Sequence, residues 1–501
     1  MHNDTVQHAD KVKSHPVFTS FIDGEPSAQT GSAISLVDPG NGNIWAKAYI
    51  DSAAIDVAAK SARNAFINPG WRDLTAAQRA GLLRKLGDLI VAHASELGAL
   101  ESLANGKPHA ATFAEMRATA QWYHFYASAI ETRDSHQRNV SSTVDAFITR
   151  EALGVVVAIT PFNAALSLGS WKLAPALAMG NTIILKPPAE APGSTIRLAQ
   201  LALEAGFPKG VVNVVVGDAA VGEKLIAHED VAMVSFTGST AAARNIGAQV
   251  VGQLKRYVCE AGGKSAHIIF EDADLESAAI AATQGVFSAT GQTCVAGSRI
   301  LIHSSIFQAF LDRYLGLIRK LRLGDPTSPQ THLGPIASRR QLGRIQHLVD
   351  EAITQGATVL IGGTSPSMEG DAKNGFWFNP TVLADVTPDM AIWKDEVFGP
   401  VAIVHSFDTE EEAIALANNS QYGLAAGFWT RDLHRVRRVS RQLEAGTVWV
   451  NTYRAIDMRV PFGGYKQSGI GRENGVEALD EFSQIKSVII DYAAAKNPFG
   501  M

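Results

Sequence analysis

The stretch EALGVVVAITPFNAALSLGSWKLAPALAMGNTIILKPP, residues 151–188, decides the fold. VVVAI at 155–159 and the apolar run at 182–185 are short, β-branched and uninterrupted by polar residues. Such runs read as strands buried on both faces, which is the pattern of a parallel sheet. Between them, 166–179 is compatible with a helix, so the unit reads strand–helix–strand. Outward from it, further strands are expected at 211–216 and 231–236. Helices are expected at 194–205, 219–227 and 240–251. A second alternating series begins at His267 and runs through 300–302 and 358–361 to 447–450. The rhythm predicts an α/β protein with two doubly wound parallel-sheet lobes. Ahead of them, 51–66 has a helical period with Asp51 as its N-cap, and 75–105 continues as a long Ala- and Leu-rich helical region. Residues 141–150 alternate as a strand, and so do residues 483–492. No hairpin partner is evident near the last, so it either adds to a neighbouring subunit's sheet or edges its own lobe.

Composition narrows the function classes. The chain has 501 residues, 46% hydrophobic and 19% charged, which excludes intrinsic disorder as the main state and allows roughly three lobes. Lys and Arg total 44 against 49 Asp and Glu, for a net charge of -5, so the basic excess of a nucleic-acid binder is missing. The uncharged stretches 152–171 and 277–298 are long enough to cross a bilayer, but their Thr, Asn, Gln, Ser and Gly content fits the interior of a soluble protein. The first thirteen residues lack an apolar core, so no secretory signal is expected and the cytoplasm is the default compartment. Two cysteines, Cys259 and Cys294, cannot make a disulfide framework, and 14 scattered histidines without an H-E-x-x-H pattern do not suggest a metal site.

Four motifs carry possible chemistry. Cys294 ends GQTC (291–294), where glycines and small polar neighbours let the backbone approach a ligand; alone, a cysteine is more often a small buried hydrophobe. Glu260 leaves an apolar strand into AGGKS, where a carboxylate can act as general base or simply edge the sheet. Asn163 in TPFN (160–163) follows a strand end, the place where ligands collect in open α/β sheets, and its amide can donate to an oxyanion or merely shape a turn. FTGST (236–240) ends a strand in glycine before a helix, which suits a pyrophosphate. Lys186 in LKPP stands at another strand end, beside a ribose or phosphate or free in solvent.

Together these motifs resemble the NAD(P)-dependent aldehyde dehydrogenase superfamily. The likeness runs from FIDGE (21–25) to the terminal strand and includes TPFN, KPP, AGFPKGVVNVVVG (205–217), FTGST, CEAGGKS, GQTC, EVFGP (396–400) and PFGGYKQSGIGRE (461–473). Cys294 follows Glu260 by 34 positions, similar to the family's spacing of nucleophile and base. The resemblance implies that Cys294 attacks an aldehyde, that Asn163 and the Cys294 amide hold the oxyanion, and that Glu260 activates water against a thioester. Lys172 and Glu473 match supporting positions. For the cofactor it implies Lys186 and Glu396 on ribose hydroxyls, Phe398 by the nicotinamide, Gly238 and Ser239 at the pyrophosphate, and Thr160, Phe162 and Ala261 around them. Ala164, Leu168, Trp171, Thr293, Val295, Arg454, Ile456 and Phe462 would line a largely apolar aldehyde tunnel. It further implies a Rossmann-like cofactor lobe (1–130 and 151–261), a catalytic lobe (262–480) and small β oligomerisation strands (131–150 and 481–501) of a homodimer or homotetramer.

Two positions depart from the family pattern. Ala189 replaces the glutamate that usually meets the adenosine ribose, with Glu190 next to it, so NAD is expected while NADP stays open. Phe162 replaces a common Trp. Arg454 and Arg459 precede PFGG; one reading has either of them draw a carboxylate-bearing semialdehyde, and the favoured reading is a surface arginine paired with a neighbour. Acyl transfer to coenzyme A or phosphate shares the thioester, but members of that kind commonly lack the Glu260 base. A non-catalytic protein on the same fold would not need Cys294, Glu260 and Asn163 together. A cysteine hydrolase would need a histidine near Cys294.

Overall fold

The computed structural model describes residues 15–493 and Phe499, so the amino-terminal segment read for a targeting signal lies outside the described residues, as do 494–498 and the last two positions. In the first lobe, five parallel strands are ordered Arg256–Glu260, Val231–Thr237, Val155–Ile159, Thr182–Lys186 and Val212–Val214. Gly469–Ile470 pairs antiparallel with the first of these and Phe21–Ile22 with the last. Strand side chains alternate between two apolar layers. Val156, Ala158, Ile183 and Leu185 face one, and Val155, Val157, Ile159 and Ile184 the other. Both faces are covered by helices, which is why these strands read as unbroken apolar runs.

The second sheet runs Thr358–Ile361, Thr381–Ala384, Val401–Phe407, Arg299–His303, Ala266–Ile269, Ala425–Trp429, Thr447–Val450, parallel except for the first pair. It too has an apolar layer on each face. The structure is thus the two doubly wound α/β lobes expected. Among the described residues no helix is long and apolar enough to cross a membrane.

The structure corrects one expectation and refines others. Asp51 does not cap the first helix, which spans Ala54–Ile67 with Ala53 at the N-cap. Asp51 Oδ1 instead accepts from the Ala53 amide at 2.8 Å and forms the turn that precedes the helix. The region 75–105 is two helices, Ala76–Ala92 and Ala94–Asn105, broken at His93; the first starts with a Thr75–Gln78 capping box and the second ends at left-handed Gly106. The terminal strand Ser483–Asp491 finds its partner far back in the chain. It pairs antiparallel with Val144–Ala152, whose other edge carries His136–Asn139. A pairing between segments more than 300 positions apart leaves no local signal in sequence. Val144–Ala152 also runs past the boundary expected at residue 150.

Candidate active site

In the first lobe the strand order reverses beside Val155–Ile159. The chain leaves that strand toward one neighbour and returns on its other side as Val231–Thr237. Such a reversal opens a crevice beyond the carboxyl ends of the strands. A crevice of about 670 Å³ lies there, lined by Phe162, Asn163, Gly238, Ser239, Ala261, Gly262, Glu396 and Phe398 among others. Ser239 caps the helix Thr240–Gly252, its Oγ accepting from the Ala242 amide at 3.3 Å, so the positive end of a thirteen-residue helix borders the crevice.

A dinucleotide fits the groups found here. The Gly263 amide donates to Glu396 Oε1 at 3.0 Å and aims the carboxylate. A Cβ at Gly262 would lie 2.7 Å from Glu396 Oε2, so a side chain there would push the carboxylate from its place. Burial pushes the Glu396 carboxyl up to about 7, against the pull of the Gly263 amide and of the Arg344 and Lys264 charges. The Phe162 and Phe398 rings meet edge-on with centroids 5.7 Å apart, and Gln341 Nε2 donates to the Val397 and Phe398 carbonyls at 2.9 Å each. Thr160 and Lys186 stand off the crevice lining. The Thr160 amide donates to the Lys186 carbonyl at 3.2 Å, and Lys186 is buried; burial lowers its ammonium to about 8, partly opposed by the Glu190 and Asp218 charges. Lys186 is therefore not a surface lysine.

A second cavity, of about 240 Å³, adjoins the first. Asn163, Leu168, Thr237 and Cys294 line both. Glu260 and Glu473 also reach it, and so do all eight positions expected along the tunnel: Ala164, Leu168, Trp171, Thr293, Val295, Arg454, Ile456 and Phe462. Trp171 stacks on Trp122 at 5.6 Å and meets Phe462 edge-on at 5.4 Å, forming an aromatic wall. Lys107, Glu115, Thr119, Trp122 and Ser167 also line it. Sequence reasoning missed them because Glu115, Thr119 and Trp122 sit on one ordinary long helix and Ser167 on another that is buried on nearly every side; Asn105-Gly-Lys107-Pro, a helix end followed by a buried lysine, was the one available signal.

Cys294 follows three left-handed residues, Ala289, Thr290 and Gly291. A Cβ at Gly291 would lie 2.0 Å from the Gly399 carbonyl oxygen, so the turn is pinned against EVFGP. This places Cys294 partly open to the cavity, within a largely enclosed setting. Burial pushes its thiol up to about 12, the Glu396 and Glu260 charges add to the shift, and Arg454 opposes it. Glu260 ends the strand Arg256–Glu260, is buried, and has no hydrogen-bond partner on either oxygen among the described residues. Burial, reinforced by the Glu473 charge and opposed by Lys172 and Arg472, holds its carboxyl well above the usual range. Lys172 and Glu473 form a fully buried ion pair, and Lys172 Nζ also donates to Thr237 Oγ1 at 2.7 Å. The second Glu473 oxygen is unpaired. Asn163 Nδ2 donates to the Gln292 carbonyl at 3.0 Å, which leaves its other N–H for a ligand.

The two surface-arginine readings part company. Arg459 makes a paired contact with Asp457, 2.7 Å at its closest, and is exposed. Arg454 instead lines the cavity from a left-handed backbone position, with Nη1 buried and unpartnered.

A nucleophile and a carboxylate buried where a dinucleotide-sized crevice meets a small apolar chamber define an α/β dehydrogenase. The aldehyde dehydrogenase family model matches residues 26–488, and the chain belongs to that family. It is 39% identical over 491 residues to the betaine aldehyde dehydrogenase of Brucella anthropi, which spans 97% of this chain and 100% of the relative. Among solved structures, the NAD+ complex of an aldehyde dehydrogenase from Bacillus cereus matches with a TM-score of 0.92 and 40% identity, over 95% of this chain and 97% of the other. The betaine aldehyde dehydrogenase of Staphylococcus aureus in complex with NAD+ matches at 0.93 and 35% identity, over 95% of each. The chain is accordingly an oxidoreductase that converts an aldehyde to the carboxylic acid.

Proposed function

We propose that the Cys294 sulfur attacks the aldehyde carbon beside bound NAD, and that the thioester so formed is hydrolysed by water that Glu260 activates. The observation that carries this reading is that Cys294 lines both the dinucleotide crevice and the chamber that holds Glu260. A thiol held near 12 needs a base to become a nucleophile, and Glu260, with its raised pKa and unpartnered oxygens, suits that task. Sγ bonds to the carbonyl carbon, the thiol proton passes to Glu260, and the new oxyanion rests against the free Asn163 N–H and the Cys294 amide. NAD, when bound, supplies the hydride acceptor, with Glu396, Gly238 and Ser239 holding its ribose and pyrophosphate and Phe398 packing beside the ring. Glu260, once the thiol proton has moved on through Glu473 to solvent, takes a proton from water; hydroxide adds to the thioester carbon, and the C–S bond breaks to release the acid and the Cys294 thiolate. Glu473, tied to Lys172 on one oxygen and free on the other, receives the proton from Glu260.

In this reading residues 1–130 and 151–261 hold the dinucleotide and 262–480 carry the nucleophile. Segments 131–150 and 481–501 bridge subunits of a cytoplasmic homo-oligomer. The exposed apolar side chains of Ile485, Val488 and Ile489 on the edge strand favour such an assembly. The test is an aldehyde panel followed by nicotinamide absorbance, with NAD and NADP in separate arms, on wild type and Cys294→Ala. Wild type should reduce NAD with neutral aliphatic aldehydes. Cys294→Ala should lose at least about 10³-fold in rate and still bind NAD. Residual turnover close to wild type removes Cys294 as nucleophile.

A further inference from the structure

Arg454 is the cation of the aldehyde chamber that nothing within the protein neutralises. It makes no ion pair or hydrogen bond among the described residues, and its Nη1 is buried. The other cation lining the chamber, Lys107, is bound to Glu115. Glu115, whose charge faces Arg454, is committed to Lys107 and to the Ser167 hydroxyl at 2.8 Å. Leaving a guanidinium desolvated and unpaired is costly, and so is its left-handed backbone with φ at 61°. The desolvation cost is recovered if a substrate anion completes the pair, and a guanidinium fork matches a carboxylate in two parallel hydrogen bonds.

We propose that the substrates of this enzyme are aldehydes carrying a carboxylate at the far end of an apolar carbon chain. Arg454 receives the carboxylate while the aldehyde meets Cys294, and the Trp122–Trp171–Phe462 wall of the same chamber packs against the carbon chain. This names the substrate class of the site described above and rests on that reading. Arg454 acts here as a specificity residue. The same guanidinium disfavours a cationic aldehyde such as betaine aldehyde, although an aromatic wall by itself would welcome one.

The experiment compares kcat/KM for three aldehydes of similar length: a neutral n-alkanal, the corresponding ω-carboxylate semialdehyde, and betaine aldehyde. It uses wild type, Arg454→Lys and Arg454→Gln, each checked for NAD binding by fluorescence. Wild type should favour the carboxylate over the neutral compound, mainly through KM, and betaine aldehyde should be poorest. In Arg454→Gln the carboxylate-to-neutral ratio should fall about 10- to 100-fold, the size expected for a lost charged hydrogen bond. Arg454→Lys should recover part of it, since charge remains without the fork. A ratio unchanged within twofold in Arg454→Gln overturns the proposal, as does wild-type preference for betaine aldehyde. If no aldehyde of the panel reduces NAD in wild type, the oxidation reading itself falls.

Discussion

Cys294 and Glu260 reach one chamber from two different lobes. Glu260 ends an edge-side strand of the first sheet, and Cys294 sits on a left-handed turn that leads into the second. The pair is thus assembled only when the lobes close on each other, and the Glu260 charge then raises the thiol.

Changing Glu260 to Gln should slow both halves of the reaction. The amide keeps the shape but accepts a proton from neither the thiol nor water, so the thioester that does form should outlast its normal turnover. Intact-protein mass spectrometry after mixing with aldehyde and NAD should show a gain equal to the acyl group, and steady turnover should fall about 10²- to 10⁴-fold. Normal turnover with no adduct removes Glu260 as the base.

The Lys172–Glu473 pair should be far more sensitive to losing one member than both. Each side chain is fully buried, so Lys172→Met or Glu473→Gln alone leaves a desolvated charge or half a pair and should cost about 3–5 kcal/mol of stability. The double variant should be more stable than Lys172→Met alone, because no charge remains. Urea midpoints of the four proteins measure the coupling; strictly additive losses would mean the two side chains do not act as a pair.

Dinucleotide affinity should strengthen as pH rises through about 7. Burial raises the Glu396 carboxyl to that value, so it is mostly protonated at pH 6 and mostly ionised at pH 8. Only the ionised form offers both oxygens to ribose hydroxyls, and a group with this pKa predicts about tenfold weaker NAD binding at pH 6 than well above 7. Lys264, lowered by burial to about 7, titrates in the same window. Glu396→Gln isolates the carboxylate: its NAD dissociation constant, read by fluorescence quenching, should lose most of the pH dependence. An unchanged slope assigns the effect elsewhere.

Much of the site was legible because its parts lie at strand ends. Asn163, Gly238 and Glu260 each follow an apolar run that can only be a buried strand, and a parallel sheet delivers such ends to one edge. Lys107, Glu115 and Trp122 were not legible. Their helical segment and its leading loop carry the same amphipathic pattern as any other, and it is tertiary packing that turns one side of them toward a chamber. Arg454 was visible as a tunnel position and also as a surface arginine, and only the folded structure, which lines the chamber with it, chose between the two.

Sequence by itself determined the two wound sheets, since hydrophobic period and β-branching act locally, and motif order carried the family likeness. Only the tertiary structure decided which charges meet. It paired Lys172 with Glu473 across 301 positions, joined Ser483–Asp491 to Val144–Ala152, and left Arg454 facing the chamber without a partner. Contacts of that kind depend on how lobes close and loops turn, and their energies are set by burial, which belongs to the folded whole.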